Sequence, residues 1–151
     1  EWRDTPHDTV HAHAWSTPGT LEGVHDREAL EWRFARCPLA SFRFLYLRRE
    51  GDTQPCAWFV CQQDADTLRV VDFKTDPAGD ASRSLAVLAD IAYRLGCRSV
   101  SLEGCLLDGE KALLRRHGFF ARQGRPVYAR WKQPTAAPRA AFRLMPFDED
   151  E

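Results

Sequence analysis

Apolar and polar positions alternate most sharply between residues 41 and 75. In "SFRFLYLRR", Phe42, Phe44 and Tyr46 alternate with Arg43, Leu45 and Leu47, the period of two that a pleated strand imposes. "CAWFVCQQ" is apolar on both faces and predicts a central strand. "TLRVVDFKT" follows, with Leu68 and Val70 expected on one face and Val71 and Phe73 on the other. The links "EGDTQP" and "DADT" are short and turn-rich, so these three strands are expected to pair antiparallel as a meander.

Helical periods flank the meander. In "HDREALEWRFARCP", Leu30, Phe34 and Cys37 recur at three- and four-residue spacing. Asp26 can cap this helix, Glu28 favours its positive end and Pro38 stops it. After the meander, Leu85, Leu88, Ile91, Ala92 and Leu95 form one stripe, with Gly96 just beyond it. "CRSVSLEG" predicts a short strand, and "DGEKALLRRHG" a helix capped by Asp108 and ended by Gly118. "FFARQ" and "PVYARWK" predict a closing strand pair.

The expected class is therefore α+β with a mixed sheet. Its order is helix, three-strand antiparallel meander, helix, strand, helix and two strands. The strand–helix–strand crossover requires one parallel pairing. Residues 1–25 show no period and read as an irregular lead-in, 26–132 as the domain, and 133–151 as a linker and acidic tail.

Composition narrows the classes. With 151 residues, 44% hydrophobic and 28% charged, the chain is long enough to bury one core. A formal net charge of −1 leaves no electrostatic footprint for nucleic acid or an anionic membrane, so neither is expected as a partner. No apolar run approaches the roughly 20 residues of a membrane helix. The five cysteines are odd in number and lack CxxC spacing, which fits a reduced, cytoplasmic setting. The chain shows no signal-peptide pattern and no initiator Met, and the expectation is a piece of a longer protein.

The element order, with "LLRRHGFFAR" as a helix ending in Gly-Phe before a strand, resembles the GNAT superfamily of acyl-CoA-dependent N-acyltransferases over about residues 27 to 132. "LEWRFARCP…FRFLYLRR" and "FRLMPFDEDE" look like the C-terminal half of bacterial proteins with two tandem GNAT-like lobes. The resemblance implies acyl transfer from acetyl-CoA or another acyl-CoA to a small primary amine. It also implies, as the alternative, a catalytically silent lobe that binds substrate or packs on a second lobe or a homodimer partner.

In that family the loop after the meander reads R-x-x-G-x-G/A, and its amides with the following helix N-terminus receive the coenzyme pyrophosphate. The resemblance places the coenzyme against Phe73, Lys74 and Thr75 at the strand end, and against Gly79, Ala81, Ser82 and Arg83 in the loop and helix start. Here the loop is "TDPAGDASRS", with one glycine, an arginine out of register and two acids, Asp76 and Asp80. Two carboxylates repel a pyrophosphate, and Asp80 and Ser82 suit helix capping equally well. The family's acid, a Tyr four residues before the Gly of Gly-Phe, is replaced by Leu114. Glu103 and Asp72 are the candidate bases, each equally readable as a solvated strand residue, and Tyr128 is the candidate substitute acid.

His7, His11, His13 and His25 lack the cysteine or carboxylate that would complete a zinc site, so they are expected at the surface with no metal. Cys105 has only acids and apolar residues near it, which suits a structural thiol rather than a nucleophile. Trp32, opposite Leu30 and Phe34 on its helix, is a candidate contact for a partner lobe.

Overall fold

The computed structural model describes residues 1–7, 19–23, 25–76, 80–104, 106–122, 141–143 and 145. Strands β3 (Arg43–Leu47), β4 (Ala57–Asp64) and β5 (Thr67–Thr75) form the expected antiparallel meander. Strand β6 (Ser99–Leu102) adds parallel to β5 after the crossover through helix α2 (Ala81–Arg94). The five-stranded sheet runs β1-β3-β4-β5-β6, where β1 is Trp2–Arg3, and the mixed α+β class follows. Helix α3 (Asp108–Arg116) comes after β6, and helix α1 (Arg27–Leu30) precedes the meander.

Helices α1 and α2 begin at side-chain caps. Asp26 accepts the Ala29 amide at 2.8 Å, and Asp80 accepts the Arg83 amide at 3.0 Å. Helix α1 runs directly into a π-helical turn, Glu31–Ala35, which keeps Leu30 and Phe34 inward and leaves Trp32 exposed. Gly96 and Gly118 follow α2 and α3 at φ values of 79° and 82°, the left-handed conformation that a glycine adopts without penalty. Asp108 does not cap α3, contrary to expectation. Leu107 is the cap residue, and Glu110 reaches back to accept its amide at 2.9 Å.

The central strand β4 is buried on both faces, as its composition requires. Trp58 and Val60 join Leu30, Phe34, Phe44, Tyr46 and Val71 under α1. Ala57, Phe59 and Cys61 join Leu45, Leu68, Val70, Phe73, Leu85 and Leu88 under α2 and α3. One assignment differs from the expectation: Phe73 lies with Leu68 and Val70, not with Val71. Cys61 faces Val70 while Val60 faces Asp72, so Val71 is an extra residue on β5. This β-bulge shifts the alternation by one and turns Val71 and Asp72 toward the α1 face.

Both flanking segments also depart from the irregular reading. Trp2–Arg3 pairs with Phe44 and Leu45 as the edge of the main sheet. Strand β2 (Thr20–Glu22) pairs in parallel with β7 (Ala141–Arg143), from the stretch read as linker. Of the expected strand "FFARQ", residues 119–122 form no strand, and "PVYARWK" lies outside the described residues.

Two predictions follow from this packing. Leu88 is fully buried between α2 and the sheet, so Leu88→Ala should cost about 2–5 kcal/mol in urea unfolding. Tyr93→Ala, on the exposed side of the same helix, should stay within about 0.5 kcal/mol of the parent. The second concerns alkaline pH. Burial pushes the Tyr46 hydroxyl up from 10.0 to about 12, against the pull of the His7 amide that donates to its oxygen. Burial likewise pushes the Cys61 thiol up from 9.0 to about 12. Between those values the unfolded chain has lost protons that the folded chain keeps, so stability falls as pH rises from about 9 through 12. Near-UV circular dichroism should show cooperative unfolding in that window, and Tyr46→Phe should flatten its upper part.

Candidate functional site

Pairing between β5 and β6 ends at Val70 and Leu102, while β5 continues to Thr75. The bulge at Val71 sits where the two strands part. The result is a notch beside residues 71–75. Backbone groups on this stretch of β5 have lost their neighbouring strand and need other partners.

The partners come from the β2–β7 ribbon. Glu22 and Arg143 stand opposite each other in its register, and both reach β5. The Arg143 guanidinium donates from Nη2 to the Phe73 carbonyl at 2.6 Å and from Nε to Glu110 of α3 at 2.9 Å. It also lies over the Phe73 ring, 4.8 Å from the centroid, and its side chain is only 5% exposed. Lys74 donates to Glu22 at 2.8 Å with both side chains nearly buried. The notch is thus filled by the chain's own charged side chains.

Asp72, a candidate base, is buried at the bulge and not solvated. Its Oδ2 lies 3.1 Å from Nε2 of His25, out of line for a hydrogen bond. His25 is fully buried against Trp58, with ring centroids 5.8 Å apart, which corrects its expected surface position. Among the described residues, Asp72 Oδ1, both ring nitrogens of His25 and Arg143 Nη1 are buried without a hydrogen-bond partner. Glu103, the other candidate base, is half exposed and pairs with Arg69 at 3.1 Å. Asp72 and Glu103 are therefore separate environments: one sealed under α1, one on the rim beyond β6. Leu114, at the position of the family's Tyr, is a core residue.

The cofactor candidates divide in the same way. Phe73 and Thr75 face a crevice of about 160 Å³ whose other walls include Ala81 and Leu85 of α2 and Glu110 and Leu113 of α3. The Lys74 side chain is engaged by Glu22. Ser82 Oγ is 2.6 Å from His117 Nε2, joining the start of α2 to the end of α3. At the helix N-terminus the Asp80 carboxylate takes the Arg83 amide, and the Arg83 side chain is exposed. Gly79, Tyr128 and Cys105 lie outside the described residues. Trp32 is 71% exposed beside a shallow hollow of about 380 Å³ that Asp26, Glu28 and Glu31 also line, away from β5.

At the start of α2 the Arg83 amide is bonded to the Asp80 carboxylate, which puts a negative charge at the helix end where the resemblance expects the coenzyme pyrophosphate. Among the described residues no group of three or more His, Cys, Asp or Glu is placed to hold a metal ion, and no helix is long and apolar enough to cross a membrane.

Sequence reasoning missed Glu22, Glu110, Arg143 and the role of His25. The one available signal was polar residues inside otherwise apolar stretches, as in "AFRLM" and "TLEGVH". The Lys74–Glu22 pair gives a direct test. Lys74→Met leaves a buried carboxylate without its cation and should cost about 3–5 kcal/mol by urea unfolding. Adding Glu22→Leu should recover most of that loss, because no unpaired charge then remains.

No family model matches the chain, and no curated protein does. Among solved structures it is similar to an aminoglycoside N-acetyltransferase, AAC(6')-Iy, in complex with CoA. The TM-score is 0.41 at 10% sequence identity, covering 61% of this chain and 77% of that one.

Proposed function

We propose that this chain is a GNAT-like lobe that binds a ligand or partner and carries no acyl transfer of its own. The observation that carries the reading is Arg143 in the notch. It bonds the Phe73 carbonyl, at a residue where the resemblance would place the coenzyme, and it is itself held by Glu110. The Asp80 carboxylate on the Arg83 amide of α2 and the Leu114 side chain in the core support the same reading. A second reading, acyl transfer to a small primary amine, is favoured by one feature: Asp72, buried at the bulge with an oxygen free of partners. Glu103 and Tyr128 belong to that second reading as alternative base and acid.

Calorimetric titration separates the two. Coenzyme A and acetyl-CoA should give no saturable heat at about 1 mM ligand, a binding free energy weaker than about −4 kcal/mol. No thiol should be released with amines present. Micromolar binding, with thiol release lost in Asp72→Asn, would establish the second reading instead.

A further inference from the structure

Two aromatic rings face solvent on elements that cover opposite faces of the sheet. Trp32 is 71% exposed on the turn that continues α1, and Phe120 is 77% exposed just past the end of α3. Helix α1 packs over Trp58 and Val60, whereas α3 packs on the side of Phe59 and Cys61. Neither exposed ring contacts another ring or a cation among the described residues.

The charge around each ring is of one sign. The hollow beside Trp32 is lined by Asp26, Glu28 and Glu31 against a single cation, Arg36, which Glu31 already holds at 2.8 Å. Glu28 is exposed and has no ion pair among the described residues. The last turn of α3 carries Arg115 and Arg116, both exposed and likewise unpaired among the described residues. The Phe119 amide donates back to the Leu114 carbonyl at 3.1 Å, which keeps Phe120 close to those arginines. The hollow of about 380 Å³ exceeds the roughly 150 Å³ that holds a benzene ring, so a phenyl group with a guanidinium beside it can enter.

We propose that the Trp32 hollow receives the α3 end of a second copy of this chain, with Phe120 in the hollow and the arginines on Glu28. Opposite charge aligns the two patches, and a guanidinium can also lie over the indole. Because the patches sit on opposite sides of the sheet, one neighbour does not face both, and the contact runs head to tail. The proposal rests on the reading of this lobe as a binding module and names its partner.

The test is sedimentation velocity of the full chain from about 10 µM to 1 mM. At about 50 mM salt the sedimentation coefficient should rise with concentration, and at about 0.5 M salt it should fall back toward the monomer. Trp32→Ala and the double variant Arg115→Gln, Arg116→Gln should each associate at least about tenfold more weakly. All three side chains are exposed, so both variants should keep the parent's far-UV circular dichroism. Mixed together, the two variants should regain association, because one keeps an intact hollow and the other an intact α3 end. That mixture should stop at a one-to-one dimer, since its remaining patches are damaged. The proposal is overturned if the parent stays monomeric at about 1 mM or if high salt leaves its association unchanged. It is equally overturned if either variant alone associates as the parent does, or if the mixture stays monomeric or grows past two copies. Coenzyme A binding would sink the binding-module reading without changing any sedimentation outcome, so the two fail separately.

Discussion

A strand that outlasts its neighbour governs this structure. β6 leaves β5 after Leu102, and the extra residue at Val71 turns the remainder of β5 away from it. The backbone beyond that point is too buried to be left to solvent, and a buried carbonyl without a donor is costly. Arg143 supplies the donor for Phe73. That single requirement draws β7 to the notch, β7 draws β2 alongside it, and the chain leading from β2 into α1 carries Glu22 to Lys74 and His25 to Asp72.

The charges that result are anchors more than sources of stability. A buried ion pair roughly repays its own desolvation, so little net gain is expected from Lys74–Glu22 or Arg143–Glu110. What they supply is position. The ribbon has only three residues in each strand, and a two-stranded pairing of that length is marginal by itself. Bonds spanning 52 and 70 residues of sequence fix it to β5. An apolar replacement would tolerate sliding of the ribbon along the strand, whereas a guanidinium aimed at one carbonyl and one carboxylate does not.

The parts of this arrangement that depend on local chemistry were legible in the sequence. The meander, the two-sided burial of β4 and the caps at Asp26 and Asp80 all follow from periods and spacings within a dozen residues. The bulge was not legible, because in "LRVVDF" either assignment of Val71 keeps apolar residues on both faces. Asp72 was recognisable as a carboxylate on the right strand, but its burial was not, since His25 and the bulge create it. Arg143 and Glu22 were hidden for a similar reason: each sits in a segment without period, and its partners are 33 or more residues away. Nothing local marks a charge as buried when its counter-charge arrives from across the chain.

The notch also sets two unlike charged devices near each other. A helix N-terminus attracts an anion through free amides and its dipole, and at α2 the Arg83 amide is taken by the Asp80 carboxylate. The guanidinium at the notch is a different device, a planar fork with Nε on Glu110 and Nη2 on the Phe73 carbonyl. Both are spent on the chain's own groups, so the end of β5 is held by internal charge where its neighbouring strand departs.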